Sequence, residues 1–81
     1  MAVQIAFTDR TRADKTYADE QVSKTERHEY QYEVLRDAVL ALYRGVHTLN
    51  RKGESTEVRW EEVALLGPTA WFGVTGNRIN R

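Results

Sequence analysis

The chain contains no cysteine, a single proline and no excess of either charge. Without cysteine there are no disulfides, no thiolate nucleophile and no thiolate metal site, a usage that fits a reducing cytoplasm. Lysine plus arginine number 12 and aspartate plus glutamate 12. That balance argues against a dedicated non-specific nucleic-acid binder, which carries a basic excess. No apolar run approaches the roughly 18 residues that span a bilayer. The opening MAVQIAFTDR has neither the basic start nor the long apolar stretch of a signal peptide. The expectation is a cytoplasmic protein without membrane attachment.

Several chemistries are also missing. His28-Glu29-Tyr30-Gln31-Tyr32 is half of a zinc-protease motif, but Tyr32 stands where the second histidine should be. His47 would lie about 28 Å from His28 along a continuous helix, too far to share an ion. Gly67, Gly73 and Gly76 lack the spacing of a phosphate-binding loop. No serine or threonine has an evident base beside it. Glu29, Glu33, Asp37, Glu61 and Glu62 read as solvated faces. The sequence therefore predicts neither an enzyme nor a bound metal or cofactor.

What is present is a chain of 81 residues, 41% hydrophobic and 30% charged, enough for one domain spanning 1–81. At this size about 60–65% of the unfolded surface is buried, so the core is thin. Val3, Ile5 and Phe7 alternate with polar or small residues and predict a half-buried strand. Residues 9–22 are polar without a clean period and read as an arm or loop. Ser23-Lys24-Thr25-Glu26 matches a capping box. A helix is predicted from there to about residue 50, because Leu35, Ala38, Val39, Leu42, Val46 and Leu49 recur at three- and four-residue steps. Gly45 is a weak point in that helix, and Arg51-Lys52-Gly53 supplies its stop. Val58-Arg59-Trp60-Glu61 and Ala70-Trp71-Phe72-Gly73-Val74 then read as two strands joined at Gly67-Pro68-Thr69. A basic tail, 76–81, ends the chain. The expected fold is α+β: a strand, a long helix and a β-hairpin, giving a three-stranded sheet packed on one helix.

On the predicted helix Tyr32, Arg36, Leu40, Tyr43 and His47 form a second line beside the core stripe. Tyrosine and arginine dominate binding hot spots because they bury large area at modest entropic cost. The line reads either as a docking face, for another protein or a second copy, or as the flank of a wide core. The C-terminal segment offers another reading. Trp60, Trp71 and Phe72 must bury substantial area, yet Arg59, Arg78 and Arg81 flank them, and aromatics beside cations can stack bases.

Residues Trp60 to Gly67, followed by Pro68-Thr69-Ala70, resemble the second helix and turn of a helix-turn-helix. That resemblance implies a mostly α fold with Thr69 to Asn80 as the recognition helix in the major groove, Asn77, Arg78 and Arg81 facing DNA. The stretch before the turn glycine is one residue short of the pattern, and Gly73 and Gly76 would each cost that helix about 1 kcal/mol.

The sequence thus points first to a small non-enzymatic module that binds a partner protein or itself, as a regulator, inhibitor or accessory subunit. By analogy of size and composition alone, phage-encoded regulators are of this kind. The alternative is a DNA-binding transcriptional regulator.

Overall fold

A computed structural model describes residues 2–8 and 13–79 of the chain. Among the described residues seven strands make two antiparallel sheets: β1 Ala2–Phe7, β2 Lys15–Ala18, β3 Glu20–Gln21, β4 Glu26–Val34, β5 Leu40–Leu49, β6 Ser55–Leu66 and β7 Trp71–Gly76. The smaller sheet has the order β2-β1-β7 and the larger β3-β4-β5-β6. The chain passes between sheets after β2 and again after β6. No helix among the described residues is long and apolar enough to cross a membrane.

β1 is the strand its alternation predicts, with Val3, Ile5 and Phe7 buried. The long helix, and with it the α+β arrangement, is overturned: residues 26–49 form a β-hairpin paired from Glu26↔Thr48 to Val34↔Leu40. The reason lies in two period-two runs, Tyr30-x-Tyr32-x-Val34 and Leu40-x-Leu42. The register places Tyr32 opposite Leu42 and Val34 opposite Leu40 on one face. Directly opposed residues in an antiparallel pair share a face, so one apolar surface is assembled from two separate short runs. Arg36-Asp37-Ala38 turns the chain, with positive φ at Asp37 (62°) and Ala38 (57°), and Leu35 N–H donates to Val39 O at 2.7 Å.

The smaller sheet covers that surface. Val3, Ile5 and Phe7 pack with Tyr30, Leu40 and Leu42, flanked by Tyr17, Tyr32, Val34, Ala64, Leu66, Trp71 and Val74. Full burial of each large aliphatic side chain contributes about 1.5–3 kcal/mol, so this cluster carries the fold. Tyr17 and Tyr30 rings meet at 5.5 Å across the two sheets.

Signals read as helix boundaries serve turns instead. Ser23 Oγ accepts from Thr25 N–H, and Val22 and Ser23 N–H donate to Glu26 O, closing the β3–β4 connection. The serine that would cap a helix does so here for a turn, by the same side-chain-to-backbone bond. At 50–54, Asn50 Oδ1 accepts from Lys52 and Glu54 N–H, turning β5 into β6. The polar 9–22 stretch contains β2 and β3; its residues 9–12 lie outside the described residues.

The helix-turn-helix is overturned as well. Residues 55–66 and 71–76 are strands, and they do not form the expected hairpin with each other: β6 pairs with β5 and β7 with β1. Gly67-Pro68-Thr69 does turn the chain, Ala70 N–H donating to Gly67 O, but it carries it from one sheet to the other.

Candidate functional site

The larger sheet has two unlike faces. One bears the core at its covered end and, beyond it, the cross-strand pair Arg44–Glu61. Arg44 Nε donates to Glu61 Oε1 at 2.6 Å. This bond, followed by one to Tyr30, holds the Arg44 pKa above its ordinary value. Both partners are about one-third exposed, which limits such a pair to about 1 kcal/mol or less.

The opposite face is not covered by the smaller sheet. Register places Glu29 and Gln31 of β4, Tyr43, Gly45 and His47 of β5, and Val58, Trp60 and Leu65 of β6 on it. Trp60 lies over Gly45: a Cβ there would sit 2.8 Å from Trp60 Cη2. Only glycine leaves room for an indole so close to the strand. Gln31, Tyr43, Trp60 and Ile79 line an open groove of about 360 Å³ running across the strands. Val58 and Trp60 are each 43% exposed and Leu65 53%. These three, with Val63 at the bulge opposite Leu42/Tyr43, are the exposed apolar residues along β6, interrupted by exposed Glu62 opposite Tyr43.

β6 is also the edge of its sheet, and among the described residues no strand runs along its outer side. Its backbone polarity follows from the ladder. Tyr32 N–H and C=O bond outward, to Asn77 O and from Ile79 N–H. Alternation across β4, β5 and β6 then turns the N–H and C=O of Val58, Trp60 and Glu62 away from β5.

A polar chain crosses the same face. Ser55 Oγ lies 2.7 Å from His47 Nδ1, His47 Nε2 lies 2.9 Å from Glu29 Oε2, and Gln31 Nε2 donates to Glu29 Oε1 at 3.0 Å. A carboxylate only accepts, so Nε2 carries the proton toward Glu29, and in the neutral ring Nδ1 accepts from Ser55. Hydroxyl, imidazole and carboxylate stand in the order that activates a nucleophile. Acyl transfer also needs donors aimed at the developing oxyanion and a pocket beside the hydroxyl. The groove is lined by none of Ser55, His47 or Glu29. The chain of bonds ties β4, β5 and β6 together at the uncovered end of the sheet. The sequence hides it because its members are separated by 8 and 18 positions and meet only through register.

The residues of the expected docking line are scattered. Leu40 is fully buried and Tyr32 packs against the core, whereas Tyr43 and His47 lie on the uncovered face and Arg36 sits in the 35–39 turn. A helical line of five has no counterpart in a hairpin, where alternate residues part to opposite faces.

The residues singled out for nucleic acid are not gathered either. Arg59 lies on β6, and Arg78 pairs with Tyr32 at the other edge of the sheet. Asn77 works within the fold: its N–H donates to Ala2 O, its C=O accepts from Tyr32 N–H, and its Nδ2 donates to Tyr30 O at 3.4 Å. It clasps the two sheets. Arg81 lies outside the described residues.

No protein-family model matches the chain. No curated protein matches it, and no solved structure does.

Proposed function

We propose that this protein is a non-enzymatic binding module whose partner is another protein chain, engaged along the edge and uncovered face of β6. The observation that carries this reading is the coincidence on one strand of an open backbone edge and exposed Val58, Trp60 and Leu65. An edge strand offers main-chain hydrogen bonds to an incoming strand, and exposed apolar side chains beside it supply burial. β6 is 12 residues long and contains neither proline nor lysine, two of the usual means of blunting an edge. Tyr43 and Trp60, the residue types that anchor interfaces, line the adjoining groove. Acting this way, the module would serve as a regulator, inhibitor or accessory subunit, and its lack of cysteine suits a reducing cytoplasm.

The test is a photoreactive amino acid placed at Trp60 and, separately, at exposed Thr75 on β7, in cells producing the protein. The reading expects covalent protein adducts from position 60, mapping to one defined segment. Adducts no more frequent from position 60 than from Thr75 would refute it.

A further inference from the structure

We infer that the occupant of the β6 edge is a second copy of this chain, its β6 antiparallel to the first about a two-fold axis through Trp60. This rests on the reading of β6 as a docking edge and names its partner.

The backbone sets which registers are allowed. Val58, Trp60 and Glu62 present their N–H and C=O outward, so outward residues must oppose outward residues. Residues 57–62 form the regular stretch between the two register shifts, after Leu49↔Ser55 and before Ala64. Side-chain charge then chooses among registers centred in that stretch. With the axis at Trp60, Arg59 faces Glu61 of the second copy and Glu61 faces its Arg59, giving two opposite-charge pairs. Trp60 meets Trp60, and Val58 faces Glu62. With the axis at Arg59, Arg59 would face Arg59 and Glu57 would face Glu61, setting like charges opposite each other, which is destabilising. With the axis at Val58, far less of the regular stretch pairs. An axis at Glu57, Glu61 or Glu62 sets a glutamate against its own copy, so the strand is complementary to itself in one extended register.

That pairing joins two four-stranded sheets into one of eight strands, with both uncovered faces on the same side. The row Ile79, Gln31, Tyr43, Trp60 would continue through Trp60 and Tyr43 of the second copy. An isologous two-fold contact of this kind closes at the dimer and leaves no β6 edge to propagate.

Sedimentation equilibrium on the intact chain at about 10–100 µM, a range spanning ordinary reversible affinities, reads the outcome. The wild-type protein should sediment at twice its 9.4 kDa. Arg59→Glu, which removes no bond described within the monomer, should weaken the dimer about tenfold or more, and Glu61→Lys should weaken it likewise. An equimolar mixture of the two should restore it. Each mixed interface then sets the introduced glutamate against the introduced lysine, and the unaltered Glu61 of one copy against the unaltered Arg59 of the other. Circular dichroism melts of both variants control for folding, since Glu61→Lys loses the Arg44 bond. A monomeric wild type overturns the proposal, and so does a dimer indifferent to Arg59→Glu. A Glu61→Lys variant that folds and dimerises as wild type, or a mixture that stays monomeric, overturns the register and the proposal with it. If the wild type is monomeric yet position 60 crosslinks to a different protein, self-pairing fails while the docking reading stands. If position 60 crosslinks to nothing, both fail.

Discussion

Trp60 rests on Gly45, the indole filling the space where any other residue at that position would place its Cβ. The contact joins the edge strand to the middle of the sheet and holds the largest side chain of the uncovered face in place. Gly45→Ala sets a methyl group within 3.0 Å of three ring atoms. Because Trp60 is partly exposed, the ring can swing outward. The expected result is a loss of about 1–3 kcal/mol in urea unfolding, with a red shift of tryptophan emission measured in a Trp71→Phe background.

Leu42→Ala and Leu35→Ala separate the hairpin from a helix. Both positions belong to the stripe that a helix would bury, yet Leu42 is 1% exposed and Leu35 37%. Leu42→Ala should cost about 2–5 kcal/mol, and Leu35→Ala less than about 1 kcal/mol. Denaturant midpoints of the two variants, compared with wild type, measure the contrast. Equal losses would contradict the observed hairpin.

Gly76 stands where β7 ends and the chain crosses to β4. Its φ is +117°, and a Cβ would fall 1.9 Å from Ala2 O, which is backbone and cannot step aside. Gly76→Ala should destabilise the protein by about 3 kcal/mol or more, combining left-handed strain with a steric clash. Amide exchange should quicken at Tyr32, Asn77 and Ile79, whose bonds depend on that crossing.

Ala38 holds its place in the 35–39 turn with a left-handed backbone at φ 57°. An L-residue there costs about 1–2 kcal/mol, and glycine gives back about 0.4–1 kcal/mol through the freer unfolded chain. Ala38→Gly should therefore raise stability by up to about 1 kcal/mol, read from thermal melts. The Ala38 carbonyl that accepts from Trp71 Nε1 at 3.0 Å is kept by the change.

Much of the chain could be read locally. Val3, Ile5 and Phe7 carry a two-residue alternation that only a strand with one buried face satisfies. Gly67-Pro68 marks a turn, and Val58 to Glu61 reads as a strand. Where the sequence misleads, two periods coincide. Leu42, Val46 and Leu49 fall at helical steps, while Tyr30, Tyr32 and Val34, then Leu40 and Leu42, fall at strand steps. Within residues 26–50 no capping or turn signal separates the two, since Ser23 and Arg51-Lys52-Gly53 serve either. Gly45 and the β-branched and aromatic residues at 30–34 lean toward a sheet, but the helical stripe is longer and outweighs them.

The sequence by itself determined a cysteine-free, charge-balanced domain with a half-buried first strand, a turn at Gly67-Pro68 and strand character in its aromatic C-terminal third. Only tertiary structure decided that residues 26–49 pair with themselves. The gain there is non-local: the hairpin's apolar face is buried only once β1 and β7 lie across it, and a local window contains neither the register nor the covering layer. The same holds for Ser55, His47 and Glu29, and for the open edge of β6. Which strand lies outermost, and which face stays bare, follows from the order of strands in space rather than from any run of residues.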